Sequence, residues 1–326
     1  MQTDNLFLNA CKNGQKSVVM TFLKKGGINV DKRDESGFTP LYYASFKGSR
    51  DIVAALLEVG ADATLASNES ITPLHAAAKN GNKEIIRLLV EHGADLNATD
   101  KYGRSPLIYM AREGKTDAAS FLLDLGADAA ITDNDNHNAL DYATANGLRE
   151  LVKILSEKSE TRKDASGNTP LHQACWNGQS EVIKVLLQNE SCEINALNDS
   201  GESALILAVQ QGNLNVTELL LKAGADASLK LNDGTSPLHL SAQRGDQHVG
   251  KALLQAGIAV DEKNLLGETA LILAAKYGRN DFTAMLIAEG ADVNSVDNEG
   301  RSALYFASEA GFNEIVEQLL TAGAES

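Results

Sequence analysis

One leucine recurs along this chain at nearly constant spacing, and no other feature limits its fold as strongly. It stands at Leu41, Leu74, Leu107, Leu140, Leu171, Leu205, Leu238, Leu271 and Leu304, in steps of 33, 33, 33, 31, 34, 33, 33 and 33 residues. Phe7 extends the series one step toward the N-terminus. Such a period means that one supersecondary unit is copied, and that each copy buries its apolar face only by stacking on its neighbours. Ten units cover the 326 residues, approximately 1–33, 34–66, 67–99, 100–132, 133–163, 164–197, 198–230, 231–263, 264–296 and 297–326. Aromatic residues make up only 5% of the chain, which suits thin layers filled by Ala and Leu rather than one large core.

The punctuation within each unit predicts two helices. Thr39-Pro40, Thr72-Pro73 and Thr169-Pro170 place a capping hydroxyl before a proline whose missing N–H costs nothing in a first turn. A short apolar helix follows and stops at a glycine, as at Gly48, Gly81 and Gly114. Paired apolar residues such as Ile85, Ile86, Leu88 and Leu89 then mark one face of a second helix. Gly-Ala-Asp ends that helix, and turn formers such as Asp34-Glu35-Ser36-Gly37 return the chain for the next unit.

Thr72-Pro73-Leu74-His75-Ala76-Ala77 and Thr169-Pro170-Leu171-His172-Gln173-Ala174 closely resemble the signature of the ankyrin-repeat family, whose period is also 33 residues. The resemblance extends over the whole chain. It implies an all-α solenoid of about ten stacked helix-turn-helix repeats with projecting hairpin-like loops, forming a single domain over 1–326. It also implies a groove lined by loops and first helices, where members of the family bind proteins. A noncatalytic protein-interaction scaffold is therefore the leading expectation. The alternatives are a targeting or regulatory domain cut from a larger protein with enzymatic or membrane regions, and an elastic structural element. The resemblance further implies that Asn97 and Asn294 are candidates for asparagine hydroxylation if the source is animal.

The regularity breaks near the middle. The unit at 133–163 is short, carries Asn138-Ala139 where Thr-Pro is expected, and replaces Gly-Ala-Asp with Ser156-Glu157-Lys158-Ser159-Glu160-Thr161-Arg162-Lys163. The unit at 164–197 ends irregularly in Asn189-Glu190-Ser191-Cys192-Glu193. Charge changes at the same place. Residues 1–163 hold 20 Lys+Arg and 22 Asp+Glu, whereas residues 164–326 hold 9 and 22. A hinge over 156–164, open to proteolysis between Ser156 and Lys163, is one reading, and sequence drift in a loop is the other.

Chemistry-bearing patterns are few. Gly245-Asp246-Gln247-His248-Val249-Gly250-Lys251 fits GxxxxGK, but Ala252 follows where a phosphate-binding loop needs Ser or Thr, and Gly245 is the helix-closing glycine of its unit. His75, His172 and His239 share one register, and the resemblance implies a structural bond near the Thr-Pro turn. Cys11 and Cys175 hold inward-packing first-helix positions and read as inert thiols, while Cys192 falls in a loop. An odd number of cysteines without CxxC spacing fits a reducing compartment, and the cytoplasm is expected. No basic-then-apolar segment begins the chain, and no apolar run reaches spanning length. The glycosylation patterns at Asn68, Asn189 and Asn215 carry no weight without secretion. No catalytic, cofactor or metal constellation stands out, and no enzymatic activity or cofactor is expected.

The family resemblance implies which positions face a partner. The residue two before each helix-closing glycine reads Lys12, Phe46, Lys79, Arg112, Ala145, Trp176, Gln210, Gln243, Lys276 and Glu309. The residue before each Thr-Pro position lies on the loop and includes Phe38, Arg104, His137, Glu202, Glu268 and Arg301. Trp176 is the only tryptophan and holds a surface register, where a hot spot is the stronger explanation. The candidate partner-binding residues are Trp176, Arg112, Phe46, Phe38, Lys79, Tyr102, Arg104 and Tyr277. The N-terminal half then calls for acidic and apolar partner residues. The C-terminal half, offering Glu202, Asp233, Glu268 and Glu309, calls for basic ones, with Trp176 between them. A monomer is expected, and the net charge of −15 argues against nucleic acid or an anionic membrane as partner.

Overall fold

The computed structural model describes residues 2–158 and 162–325. Packing divides the chain into two compact units, Met1–Glu160 and Thr161–Ser326. In the first, helices alternate as α1 (Gln2–Lys12), α2 (Lys16–Lys25), α3 (Pro40–Phe46), α4 (Arg50–Glu58), α5 (Pro73–Asn80), α6 (Lys83–Glu91), α7 (Pro106–Arg112), α8 (Thr116–Asp124), α9 (Ala139–Ala145) and α10 (Arg149–Lys158). In the second they run α11 (Pro170–Trp176), α12 (Ser180–Leu186), α13 (Ala204–Gln210), α14 (Leu214–Lys222), α15 (Pro237–Arg244), α16 (Gln247–Gln255), α17 (Ala270–Lys276), α18 (Asn280–Ala288), α19 (Ala303–Glu309) and α20 (Asn313–Thr321). Odd-numbered helices are the first of each repeat. No strand forms among the described residues, and the loops carry only the isolated bridges Leu197–Ser203 and Val296–Ser302.

Helix starts follow the sequence. Thr39 Oγ1 accepts from the Tyr42 N–H at 3.1 Å, with Pro40 occupying the first turn. At Asn138 the side-chain oxygen accepts from the N–H groups of Leu140 and Asp141, and the Asp141 carboxylate accepts from the Asn138 N–H. The unit that lacks Thr-Pro is therefore capped as fully as the rest. At the other end of a first helix, Gly81 adopts φ 71°, left-handed backbone that a side chain would strain. The recurring leucines Leu41, Leu74, Leu107, Leu140, Leu171, Leu205, Leu238 and Leu271 are all buried, as is Phe7.

Successive first helices pack more closely against one another than successive second helices do, in both units. A row packed more tightly on one side curves toward that side, so the first helices form the inner row of each unit. Backbone bonds also tie repeats together at the loops. The N–H groups of Asn68, Lys101 and Asn134 donate to the carbonyls of Ser36, Glu69 and Tyr102 at 2.9–3.0 Å. The irregular segment is only partly described. Ser156–Lys158 complete α10 with Ser156 buried, and 159–161 lie outside the described residues, so the reading of a hinge rests on sequence there.

One second-helix register holds Val53, Ile86, Val152, Ile183 and Val316, but Thr217 and Thr283 in two repeats. Both threonines are buried, and neither hydroxyl has a hydrogen-bond partner. Thr283→Val should therefore stabilise the 161–326 unit by about 1 kcal/mol, because it removes a desolvated hydroxyl. A urea midpoint that stays level or falls would show that the hydroxyl is satisfied in solution.

Candidate functional site

The inner row of the first unit brings three exposed cations over aromatic rings. Lys12 Nζ lies 5.1 Å from the Tyr43 ring centroid, Lys79 Nζ 5.9 Å from Phe46, and the Arg112 guanidinium carbon 5.5 Å from Tyr142. Such contacts hold a cation in place without neutralising it. Among the described residues none of the three forms an ion pair, whereas Lys16 pairs with Asp51, Arg50 with Glu84 and Lys101 with Glu69. Two helix ends in this row, at Phe46 and at Arg112, are pinned by the following repeat. Asn80 Nδ2 donates to the Phe46 carbonyl, and Asn146 Nδ2 donates to the carbonyls of Ala111 and Arg112 at 3.2 and 3.3 Å.

Between Lys12 and Lys79 the second repeat stacks three aromatic rings. Phe38 stacks on Tyr42 with centroids 4.0 Å apart, and Tyr42 lies nearly parallel to Phe46 at 6.2 Å. Phe46 is exposed while Phe38 is half-buried, so the pair presents one ring and a supporting floor. Tyr42, Tyr43, Tyr109 and Tyr142 belong to this face, and the sequence reading did not single them out. The signal was available: Tyr43, Tyr109 and Tyr142 all stand two residues after the repeat leucine. Each donates its hydroxyl to a loop carboxylate, Asp34 at 2.6 Å, Asp100 at 2.8 Å and Asp133 at 2.5 Å.

Arg104 does not join the free cations. Its Nε and Nη2 donate to one Asp100 carboxylate oxygen at 2.9 and 2.7 Å, and its guanidinium lies 4.4 Å from the Tyr102 ring. Burial pushes the Asp100 carboxyl up, but the bonds from Arg104, Tyr109 and the Tyr102 N–H outweigh it and hold the group below the usual carboxylate range. Arg104 is thus spent on the turn, while Tyr102 remains half exposed at its tip.

In the second unit Trp176 ends α11 with 53% of its surface exposed, and Tyr277 follows α17 in an exposed position. Two of the four carboxylates expected to meet a basic partner are occupied. Glu268 is buried and accepts from Lys276 at 2.8 Å and Asn264 at 3.0 Å. Glu202 is half-buried and accepts from Gln210 at 2.9 Å and Asn198 at 3.0 Å. Both bend back because their loop turns place an amide donor four residues before them. Asp233 and Glu309 remain exposed. The loop tip at 265–266 adds what the sequence reading passed over, since Leu265 and Leu266 are 69% and 64% exposed where every other tip carries at least one polar residue.

The remaining chemical patterns resolve into structure. His75 Nδ1 accepts from the Thr72 N–H at 3.2 Å, which leaves Nε2 protonated and donating to the Arg104 carbonyl of the next repeat at 2.9 Å. His172 and His239 repeat the arrangement toward the carbonyls of Glu202 and Glu268. Cys11 is buried and its thiol is pushed up to about 12, while half-buried Cys192 is pushed up to about 11, both by burial. Gly250 lies inside α16 rather than in a loop, which a phosphate cradle would require. Asp133, Asp135 and His137 bring ligand atoms within 4.8 Å of one another. Asp133, however, already accepts the N–H groups of Asp135 and His137 and the Tyr142 hydroxyl, so its lone pairs serve the turn. Asn97 and Asn294 are exposed, with their side-chain oxygens accepting from the N–H groups of Asp128 and Glu325. No helix among the described residues is long and apolar enough to cross a membrane.

Among the described residues, repeated helix pairs, nine of whose first helices are capped by Thr, Ser or Asn at one register and bury a leucine behind it, define an all-α repeat solenoid with the ankyrin pattern. Family models for ankyrin repeats match residues 2–67, 59–133, 125–198, 190–264 and 238–326, so the chain belongs to the ankyrin-repeat family. Ankyrin repeats generally mediate protein–protein interaction, and the family is typically noncatalytic. Over 79 residues the chain is 34% identical to the 26S proteasome non-ATPase regulatory subunit 10 of Dictyostelium discoideum, a match covering 24% of this chain and 34% of that protein. It is 38% identical over 71 residues to NF-kappa-B inhibitor alpha of Sus scrofa, covering 20% and 23%. It is 31% identical over 91 residues to the ANK repeat-containing protein nipk-1 of Caenorhabditis elegans, covering 24% and 15%. The matches thus span about a third or less of each relative's length.

Proposed function

We propose that this chain is a noncatalytic scaffold that holds a partner protein, or an extended segment of one, against its inner helix row. In the first unit the partner supplies acidic and apolar residues to Lys12, Lys79, Arg112, Phe46, Phe38 and Tyr102. In the second it supplies basic residues to Asp233 and Glu309 and an apolar contact to Trp176 and Tyr277. The observation that carries this reading is the row of three exposed cations, fixed over aromatic rings and without internal counter-ions. Unpaired cations on a chain of net charge −15 leave a field for an acidic partner, and complementary fields mainly raise association rates.

The test is surface plasmon resonance with a partner captured from the native cell, at two salt concentrations. Arg112→Glu should slow association and make binding less sensitive to salt. Trp176→Ala should weaken binding by about 2 kcal/mol, chiefly through faster dissociation, because a desolvated aromatic anchor controls residence time. Unchanged kinetics in both variants would place the partner on another surface.

A further inference from the structure

The order of residues along the inner row of the first unit also fixes what sequence such a partner presents. Each repeat contributes one last-turn position: Lys12 in the first, Phe46 in the second, Lys79 in the third and Arg112 in the fourth. The row therefore reads cation, aromatic, cation, cation. Adjacent helices pack roughly 10 Å apart, and an extended peptide advances about 3.3 Å per residue, so one layer matches about three residues. We infer that the first unit reads an extended peptide with an acidic residue, an apolar residue and two further acidic residues, each about three residues apart. This rests on the proposed use of the inner row, and it adds a register to it.

Three features support a register rather than diffuse attraction. One aromatic layer, Phe46 on Tyr42, separates Lys12 from the adjacent cations Lys79 and Arg112. Phe46 holds the last-turn position of its layer and rests on Tyr42, so that position matches an apolar side chain. The backbone at Phe46 and at Arg112 is bonded to asparagines of the following repeats, so the spacing of the row is set by the packed core. Helix surfaces fixed in this way hold recognition groups at constant spacing better than loops do.

The experiment is fluorescence anisotropy at low salt with labelled ten-residue serine peptides. One carries glutamate in the first, seventh and tenth places and leucine in the fourth, following about three residues per layer. The second is its reverse, because chain direction is free. The control has the same composition with the three glutamates adjacent. One of the two registered peptides should bind about tenfold more tightly than the control, and Lys79→Glu should erase that advantage. Lys79 is exposed, and circular dichroism would verify that the variant keeps its fold. Equal or tighter binding of the control, or no measurable binding of either registered peptide, would overturn the register. If control and registered peptides bind alike and both weaken in Lys79→Glu, the inner row remains the binding face without a register. If neither Lys79→Glu nor Arg112→Glu alters the binding of any peptide, the face itself is wrong.

Discussion

Gly250→Val is expected to destabilise the 161–326 unit by roughly 2–3 kcal/mol, although most repeats carry a β-branched or other apolar residue at that register. Glycine inside a helix costs about 1 kcal/mol relative to alanine, so its place within α16 needs a reason. A Cβ there would lie 2.7 Å from Cε2 and Cζ of Phe282 and 3.0 Å from Cε of Met285. Phe282 is fully buried, and its register holds Ile52, Ile85, Leu151, Val182, Val216, Val249 and Ile315 in other repeats. One oversized side chain has therefore taken the room that a glycine on the neighbouring helix vacates. Gly250→Val combined with Phe282→Leu should recover a substantial part of the loss, since residues sharing one space are not additive. Urea denaturation of the four proteins would measure the coupling, and strictly additive effects would show that the two positions do not compete for volume.

His75→Ala should cost the first unit about 2–3 kcal/mol at neutral pH. The imidazole accepts from the Thr72 N–H, donates to the Arg104 carbonyl and packs edge-on against Tyr109 at 5.1 Å. Truncation leaves a buried N–H without its acceptor and opens a cavity, although the Arg104 carbonyl keeps its bond from the Asp100 N–H. His75→Ile copies Ile108 at the same register and should restore the packing without the bonds. Burial holds His75 below its ordinary value, only partly opposed by the Arg104 carbonyl. The unfolded chain then takes up the proton first, below about pH 6.5. The contribution of neutral His75 is complete above that pH and is lost as pH falls toward the lower folded value. The stability gap between wild type and His75→Ala should therefore narrow from about pH 7.5 to about pH 5. A gap that holds constant over that interval would mean that the imidazole keeps its acceptor role in acid.

The repeat leucines, the Thr-Pro starts and the closing glycines fixed the two-helix unit and its number of copies, while the inner row was what the family resemblance implied. They did so because period and capping are local: a residue's register within its own repeat depends on neighbours within a few positions. The placement of Phe46, Lys79, Arg112 and Trp176 on exposed last turns followed from the same counting. The Asn138 start was read as a break in the pattern, although asparagine caps as well as threonine does.

What the repeat could not say is which side chains are already occupied. Arg104 and Lys79 look equally free in sequence, yet one closes on Asp100 within its own turn while the other stands over Phe46 from the preceding repeat. Glu268 and Glu309 look equally acidic, yet Lys276 draws the first inward and the second faces water. The tyrosines at 43, 109 and 142 share a register, but only the fold brings their hydroxyls to the loop carboxylates and their rings beneath the cations. Gly250 and Phe282 are unremarked departures from pattern until stacking sets them against each other. Hydrogen bonds, ion pairs and packing act over a few ångströms, and in a stacked repeat those ångströms cross from one unit to the next. The sequence therefore determined each residue's register, and the tertiary structure alone decided whether that residue serves the stack or faces a partner.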